Sequence, residues 1–165
     1  MNLEQIYYFG ELIGVVAIVA SLLFVGLQMR QNANGLKVNA TATAVANWQS
    51  VVLELASSDT LAMAWHRMTT ASDISDLEPT DVARVTAMLT AAAKNAEFTY
   101  FRHLVNEVDD GHWVSARVGF LRGFVSPLTR EIIWPRVKAD LSPEFGAYIE
   151  DLLRSPPPDL AVNLG

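Results

Sequence analysis

The chain has 165 residues, 18 acidic against 12 basic, a net charge of −6, 51% hydrophobic residues and no cysteine. That length allows one domain beside a short appended segment, and the acidic balance argues against nucleic acid as a partner, since phosphate binding needs a basic face. Without cysteine there is no disulfide, no thiolate nucleophile and no Cys-based zinc or iron–sulfur site, which fits a reducing compartment.

Residues 12–27 read Leu-Ile-Gly-Val-Val-Ala-Ile-Val-Ala-Ser-Leu-Leu-Phe-Val-Gly-Leu and carry no charge. Residues 6–10 lie ahead of them, with only Glu11 between. Together they make an apolar segment of about 22 residues, roughly 33 Å of helix, enough to cross a bilayer core. A signal peptide would need a basic start and a small-residue cleavage site; Met1-Asn2-Leu3-Glu4-Gln5 has no Lys or Arg, and no A-x-A site follows. A buried core helix would need more surrounding protein than this chain supplies. Residues 1–30 are therefore expected to be a single transmembrane anchor. Lys and Arg are absent before the segment, and Arg30 and Lys37 follow it. The positive-inside rule then puts the N-terminus outside and the C-terminal part in the cytoplasm, with Tyr7, Tyr8 and Phe9 as the outer aromatic belt.

Two features of the segment bear on function. Gly10, Gly14, Ala17 and Ser21 are spaced 4, 3 and 4 apart and share one helix face. Small residues there let a second helix approach closely, so a homo-oligomer or a membrane-protein partner is expected on that face; the alternative is that Gly and Ala are simply common in spanning helices. Glu11 is a carboxylate inside the apolar stretch. It either reaches headgroup water, being within two turns of the outer end, or faces the lumen of an oligomeric pore.

Residues 28–35, Gln-Met-Arg-Gln-Asn-Ala-Asn-Gly, leave the membrane. Val38, Thr41, Val45, Trp48, Val52 and Leu55 then recur at spacings of 3, 4, 3, 4 and 3, a heptad seam expected to pack on the chain's own later helices. Ser57-Ser58-Asp59 ends that pattern, and residues 60–69 form a short helix. Asp73, Asp76, Glu78 and Asp81 make an acidic turn without the ligand spacing of an EF-hand, expected to be solvated and to stabilise the next helix start. Pro79 sits at a first helical position. The helix from it to about Glu107 carries one apolar line through Val82, Val85, Leu89, Ala93, Ala96, Tyr100 and His103. A second line runs through Phe98, Phe101, Val105 and Val108, so the helix is expected at the centre of a bundle. Asp109-Asp110-Gly111 caps a helix over residues 112–125. Ser126-Pro127 opens another that Pro135 should end or kink, and Ser142-Pro143 opens the last, to about Leu153. The fold class is all-α: the spanning helix continuing toward a bundle of about five to six helices over residues 31–155, with a flexible tail at 156–165.

The order of these signals is familiar. A single N-terminal span exits through Gln28-Met29-Arg30-Gln31-Asn32, a Trp-bearing helix follows, then a Pro-started long helix with Phe98, Tyr100 and Phe101, then Asp110, Trp113 and Ser142-Pro143-Glu144-Phe145. The whole chain resembles an uncharacterised family of bacterial single-pass membrane proteins. The resemblance implies a bacterial inner-membrane location and brings no activity, cofactor or catalytic residue.

Chemistry has few places to reside. His103 and Glu107 are four apart on one expected helix face, with His112 across the turn, a set able to ligate zinc or iron in a sensor or enzyme; the bland reading is a His103–Glu107 hydrogen bond. Glu97 lies in an apolar stretch with Arg102, Arg117 and Arg122 as candidate partners. Trp48, Trp65, Trp113 and Trp134 fall on separate helices as core packing. No catalytic residue is assigned and no cofactor is expected. The function expected is a membrane-anchored, self-associating scaffold or adapter; the metal-binding reading and the pore subunit are the alternatives.

Overall fold

The computed structural model describes residues 2–155; the expected tail at 156–165 lies outside them. The fold is all-α, with six α-helices and no strand among the described residues. The chain divides into two compact units, Met1–Asn39 and Ala40–Gly165. Helix α1, Leu3–Ser57, supplies the whole of the first and enters the second. Sequence hydropathy set the anchor's end at residue 30, whereas contacts divide the chain at 39.

In the first unit nothing covers the apolar side chains. An 18-residue window has a mean hydropathy of 2.5 and none of it is buried. By length and composition this helix is able to cross a membrane. A soluble core helix of the same composition would be mostly buried, and this one is not.

The second unit is organised on α3, Pro79–Leu104, which packs against α2, Asp59–Thr70, and α4, Asp110–Leu121. The helix starts follow local cap chemistry. The Ser58 hydroxyl accepts from the Leu61 N–H, the Asp109 carboxylate from the His112 N–H, and the Ser142 hydroxyl from the Phe145 N–H, with Pro143 at the first turn of α6, Pro143–Arg154. The first apolar line of α3 is the core line: Val82, Val85, Leu89, Ala93 and Ala96 are buried. The Tyr100 ring at its end meets Trp113 at 5.5 Å, Phe145 at 5.3 Å and Tyr148 at 5.0 Å.

Three expectations are corrected. Of the second expected line, Val108 is buried beyond the helix end and Phe98 is half-buried, but Phe101 and Val105 are exposed, so the second buried side of α3 lies elsewhere. It is Ala92, Asn95 and Thr99, all buried. The seam of α1 is likewise displaced. Val38, Val45 and Val52 are exposed, while Ala40 and Ala44 are buried and Thr41, Trp48, Val51 and Leu55 half-buried. The small alanines let helix backbones approach. Gly119 of α4 shows how close: a Cβ there would lie 3.0 Å from Cζ2 of Trp48. Finally, Pro135, expected to end or kink its helix, does not end it; the helix is irregular just ahead of it. A π-helical turn, Thr129–Ile133, precedes it, and Pro135 falls in the first turn of α5, Trp134–Ala139, where its missing N–H is tolerated.

Candidate functional site

Small side chains and exposure build the face on the first unit. Gly10, Gly14, Ala17 and Ser21 are all exposed, and a Cβ placed on Gly10 or Gly14 would meet no atom within 4 Å. The Ser21 hydroxyl donates to the Ala17 carbonyl one turn back at 2.8 Å, so its polarity is satisfied within the helix. Glu11 is exposed one position from this face.

The histidine corner sits at the other end of α3, and here the structure separates what sequence spacing grouped. The helix stops at Leu104 and the chain turns through Asn106 in the left-handed region at φ 59°, so Glu107 is not one helical turn above His103. Glu107 instead pairs with Arg102. The His103 ring donates from Nδ1 to the Val108 carbonyl at 3.3 Å and stacks on Trp113. The His112 Nδ1 lies 2.7 Å from Oδ2 of Asp109, whose other oxygen caps α4. The His112 backbone N–H, and then its ring, hold the Asp109 carboxyl below its ordinary value. Among the described residues no group of three or more His, Asp or Glu is placed to hold a metal ion; His103, Glu107 and His112 are not a ligand set.

Two carboxylates read from the sequence as surface or Arg-paired turn out to tie elements together. Asp81, from the acidic turn, is 1% exposed and joined to Arg67 of α2 at 3.0 Å and to Arg84 at 3.5 Å. Glu97 takes Lys94 at 3.0 Å and the backbone N–H of Ser142 at 2.6 Å, not an arginine. Burial pushes the Glu97 carboxyl up, but the Ser142 N–H and hydroxyl together with Lys94 outweigh it and hold it below the usual range. Helix α3 is thereby fastened to the start of α6.

A third feature escaped the sequence. Trp48 on α1, Asn95 and Thr99 on α3, and His112 and Ser115 on α4 line a cavity of about 130 Å³ whose remaining wall is Ala44, Val45 and Ala116. Asn95 is 6% exposed, and its Oδ1 is enclosed without a hydrogen-bond partner among the described residues. A polar pair on a helix face reads as surface when the pattern is scored for hydrophobicity alone. The signal available was their spacing from Ala92, on the same side of α3.

Neither a family model, nor a curated protein, nor a solved structure matches the chain. The resemblance to the bacterial single-pass family therefore stands on the quoted residues alone.

Proposed function

We propose that the protein is a membrane-anchored, self-associating helical scaffold or adapter. The observation that carries this reading is the uncovered helix, with a mean hydropathy of 2.5 over 18 residues and no burial. An apolar surface of that extent is unfavourable in water at about 25 cal/mol per Å², and a bilayer removes the cost. Arg30 and Lys37 favour a cytoplasmic C-terminal part, and the family resemblance favours a bacterial inner membrane. The face of Gly10, Gly14, Ala17 and Ser21 is the proposed contact between copies or with a membrane-protein partner.

Crosslinking in native membranes, with and without Gly14→Leu, tests both parts. A Cβ at position 14 meets no atom within 4 Å among the described residues. Loss of the crosslinked species therefore reports a second helix and not a damaged fold. A wild-type chain that stays monomeric at native abundance would sink self-association. Release from membranes by alkaline carbonate would sink the anchor.

A further inference from the structure

The cavity between α1, α3 and α4 has a chemistry that neither anchoring nor self-association uses. Its polar wall is Asn95, Thr99, His112 and Ser115, and its flat wall is Trp48. The Thr99 hydroxyl, 1% exposed as a residue, donates to the Asn95 backbone carbonyl at 2.8 Å, which leaves its oxygen free to accept. The His112 Nδ1 lies 2.7 Å from the Asp109 carboxylate, which leaves Nε2 as the other polar atom of the ring. The Asn95 Oδ1 is a further acceptor, buried and unsatisfied. The Ser115 hydroxyl and the Asn95 Nδ2 bring donors to the same wall, yet the Asn95 Oδ1 meets no donor among the described residues. An orphaned buried amide oxygen costs about 1–3 kcal/mol, and a partner that supplies an N–H recovers it. Asn χ2 is a broad torsion, so the amide can turn toward whatever enters. The indole opposite is a fixed surface, since α4 closes on it at Gly119.

We propose that this cavity binds a small, neutral, planar molecule carrying an amide-type N–H donor beside a carbonyl acceptor. The carboxamide of Asn95 pairs with that group through two hydrogen bonds, and the apolar body of the ligand lies on Trp48. The volume sets the size. A cavity of about 150 Å³ accommodates benzene, so about 130 Å³ suits a ring of five or six heavy atoms. The absence of a buried cation in the wall sets neutrality, because an anion would enter uncompensated. The site belongs to the second unit and does not depend on the membrane reading.

The test uses the full chain in lipid nanodiscs and ligand-detected NMR with two five-membered rings. The first, 2-pyrrolidone, has the N–H and the carbonyl; the second, cyclopentanone, keeps the carbonyl and lacks the N–H. 2-Pyrrolidone should bind, and cyclopentanone should bind at least about fivefold more weakly, the effect of one unmade hydrogen bond. Asn95→Leu should abolish that preference. Asn95→Asp, nearly isosteric but without the amide donors, should weaken 2-pyrrolidone while leaving circular dichroism unchanged, and it replaces the leucine variant if that one fails to fold. Equal affinity for both rings, a preference that survives Asn95→Leu, 2-pyrrolidone binding unchanged by Asn95→Asp, or a cavity that exchanges water and takes neither ring would overturn the proposal.

Discussion

Helix α1 within Met1–Asn39 and helix α3 are both long, yet their apolar residues have opposite fates. In α1, Leu22 is 67% exposed and Val25 49%; in α3, Leu89 is 4% exposed and Val85 is fully buried. The difference lies in where the charges fall. Helix α3 carries Arg84, Lys94 and Arg102 away from its core line, so water selects one face and the bundle takes the other. Residues 12–27 offer water no preferred face at all. What distinguishes one side of that helix from another is side-chain size, through Gly10, Gly14, Ala17 and Ser21. Size is read by a neighbouring helix and not by solvent. One helix folds against its own chain, and the other is long and apolar enough to cross a membrane.

The comparison breaks most easily in the core. Phe145 is fully buried against Tyr100, so Phe145→Ala should cost about 3–5 kcal/mol. Leu22→Ala, which removes a side chain with no neighbour in the chain, should change the unfolding of the bundle by under about 0.5 kcal/mol. Thermal melts followed by tryptophan fluorescence compare them, because all four tryptophans lie in the second unit. Similar shifts would mean that the first unit has a covering element within the chain.

A charge placed in the uncovered helix sharpens the contrast from the other side. Val19→Arg should oppose membrane insertion by about 2.5–3.5 kcal/mol and leave the melt of the bundle where it was. Fractionation of expressing cells reads the outcome. A variant that remains in the membrane fraction like the wild type would show that the bilayer is not what covers this helix.

Most of the architecture was legible because its signals are local. Ser58, Asp109 and Ser142 announce helix starts through hydroxyl and carboxylate caps that act within three residues, and the core line of α3 follows from its period. What escaped depends on how helices approach one another. The α1 seam kept Thr41, Trp48 and Leu55 but exchanged its valines for Ala40 and Ala44, because backbone separation, not hydrophobicity, decided the contact. Asn95 and Thr99 are polar residues on a buried face, and only the cavity between three helices explains the place. The metal set failed for a similar reason. The four-residue spacing of His103 and Glu107 means one face only while the helix lasts, and α3 ends at Leu104.

Glu97 turns the comparison into a pH dependence. Its carboxyl is held below its ordinary value, so the stabilisation it brings is fully present at neutral pH, above the pKa of the unfolded chain. It is lost as pH falls through the lowered folded value. The side chain is 13% exposed and accepts a charge-assisted bond from the Ser142 N–H, so Glu97→Gln should cost about 1.5–3 kcal/mol at neutral pH. It should also flatten the acid limb of the stability curve. An acid limb identical to the wild type would place that pH dependence on other carboxylates.

The smallest expected effect lies three positions from Glu97 and tests whether the core line is correctly drawn. Ala96 is 2% exposed on the line through Val85, Leu89 and Ala93, and a leucine there has no room without displacing a neighbour. Ala96→Leu should overpack the bundle at a cost of about 1–3 kcal/mol. Lys94, two residues earlier, points the other way. Its side chain is 50% exposed, and its pair with Glu97 at 3.0 Å spans i to i+3 on one helix. Such a pair contributes about 0.2–0.5 kcal/mol, because solvent screens it and two long side chains are ordered to make it. The Glu97 oxygen that holds Ser142 is not the one that meets Lys94, so the link between α3 and α6 survives removal of the amine. Lys94→Ala should therefore shift stability by under about 0.5 kcal/mol, and added salt should erase even that. If Lys94→Ala instead matched Ala96→Leu, the ammonium would be part of the fastening of α6, and the two oxygens of Glu97 would have to be treated as one coupled site.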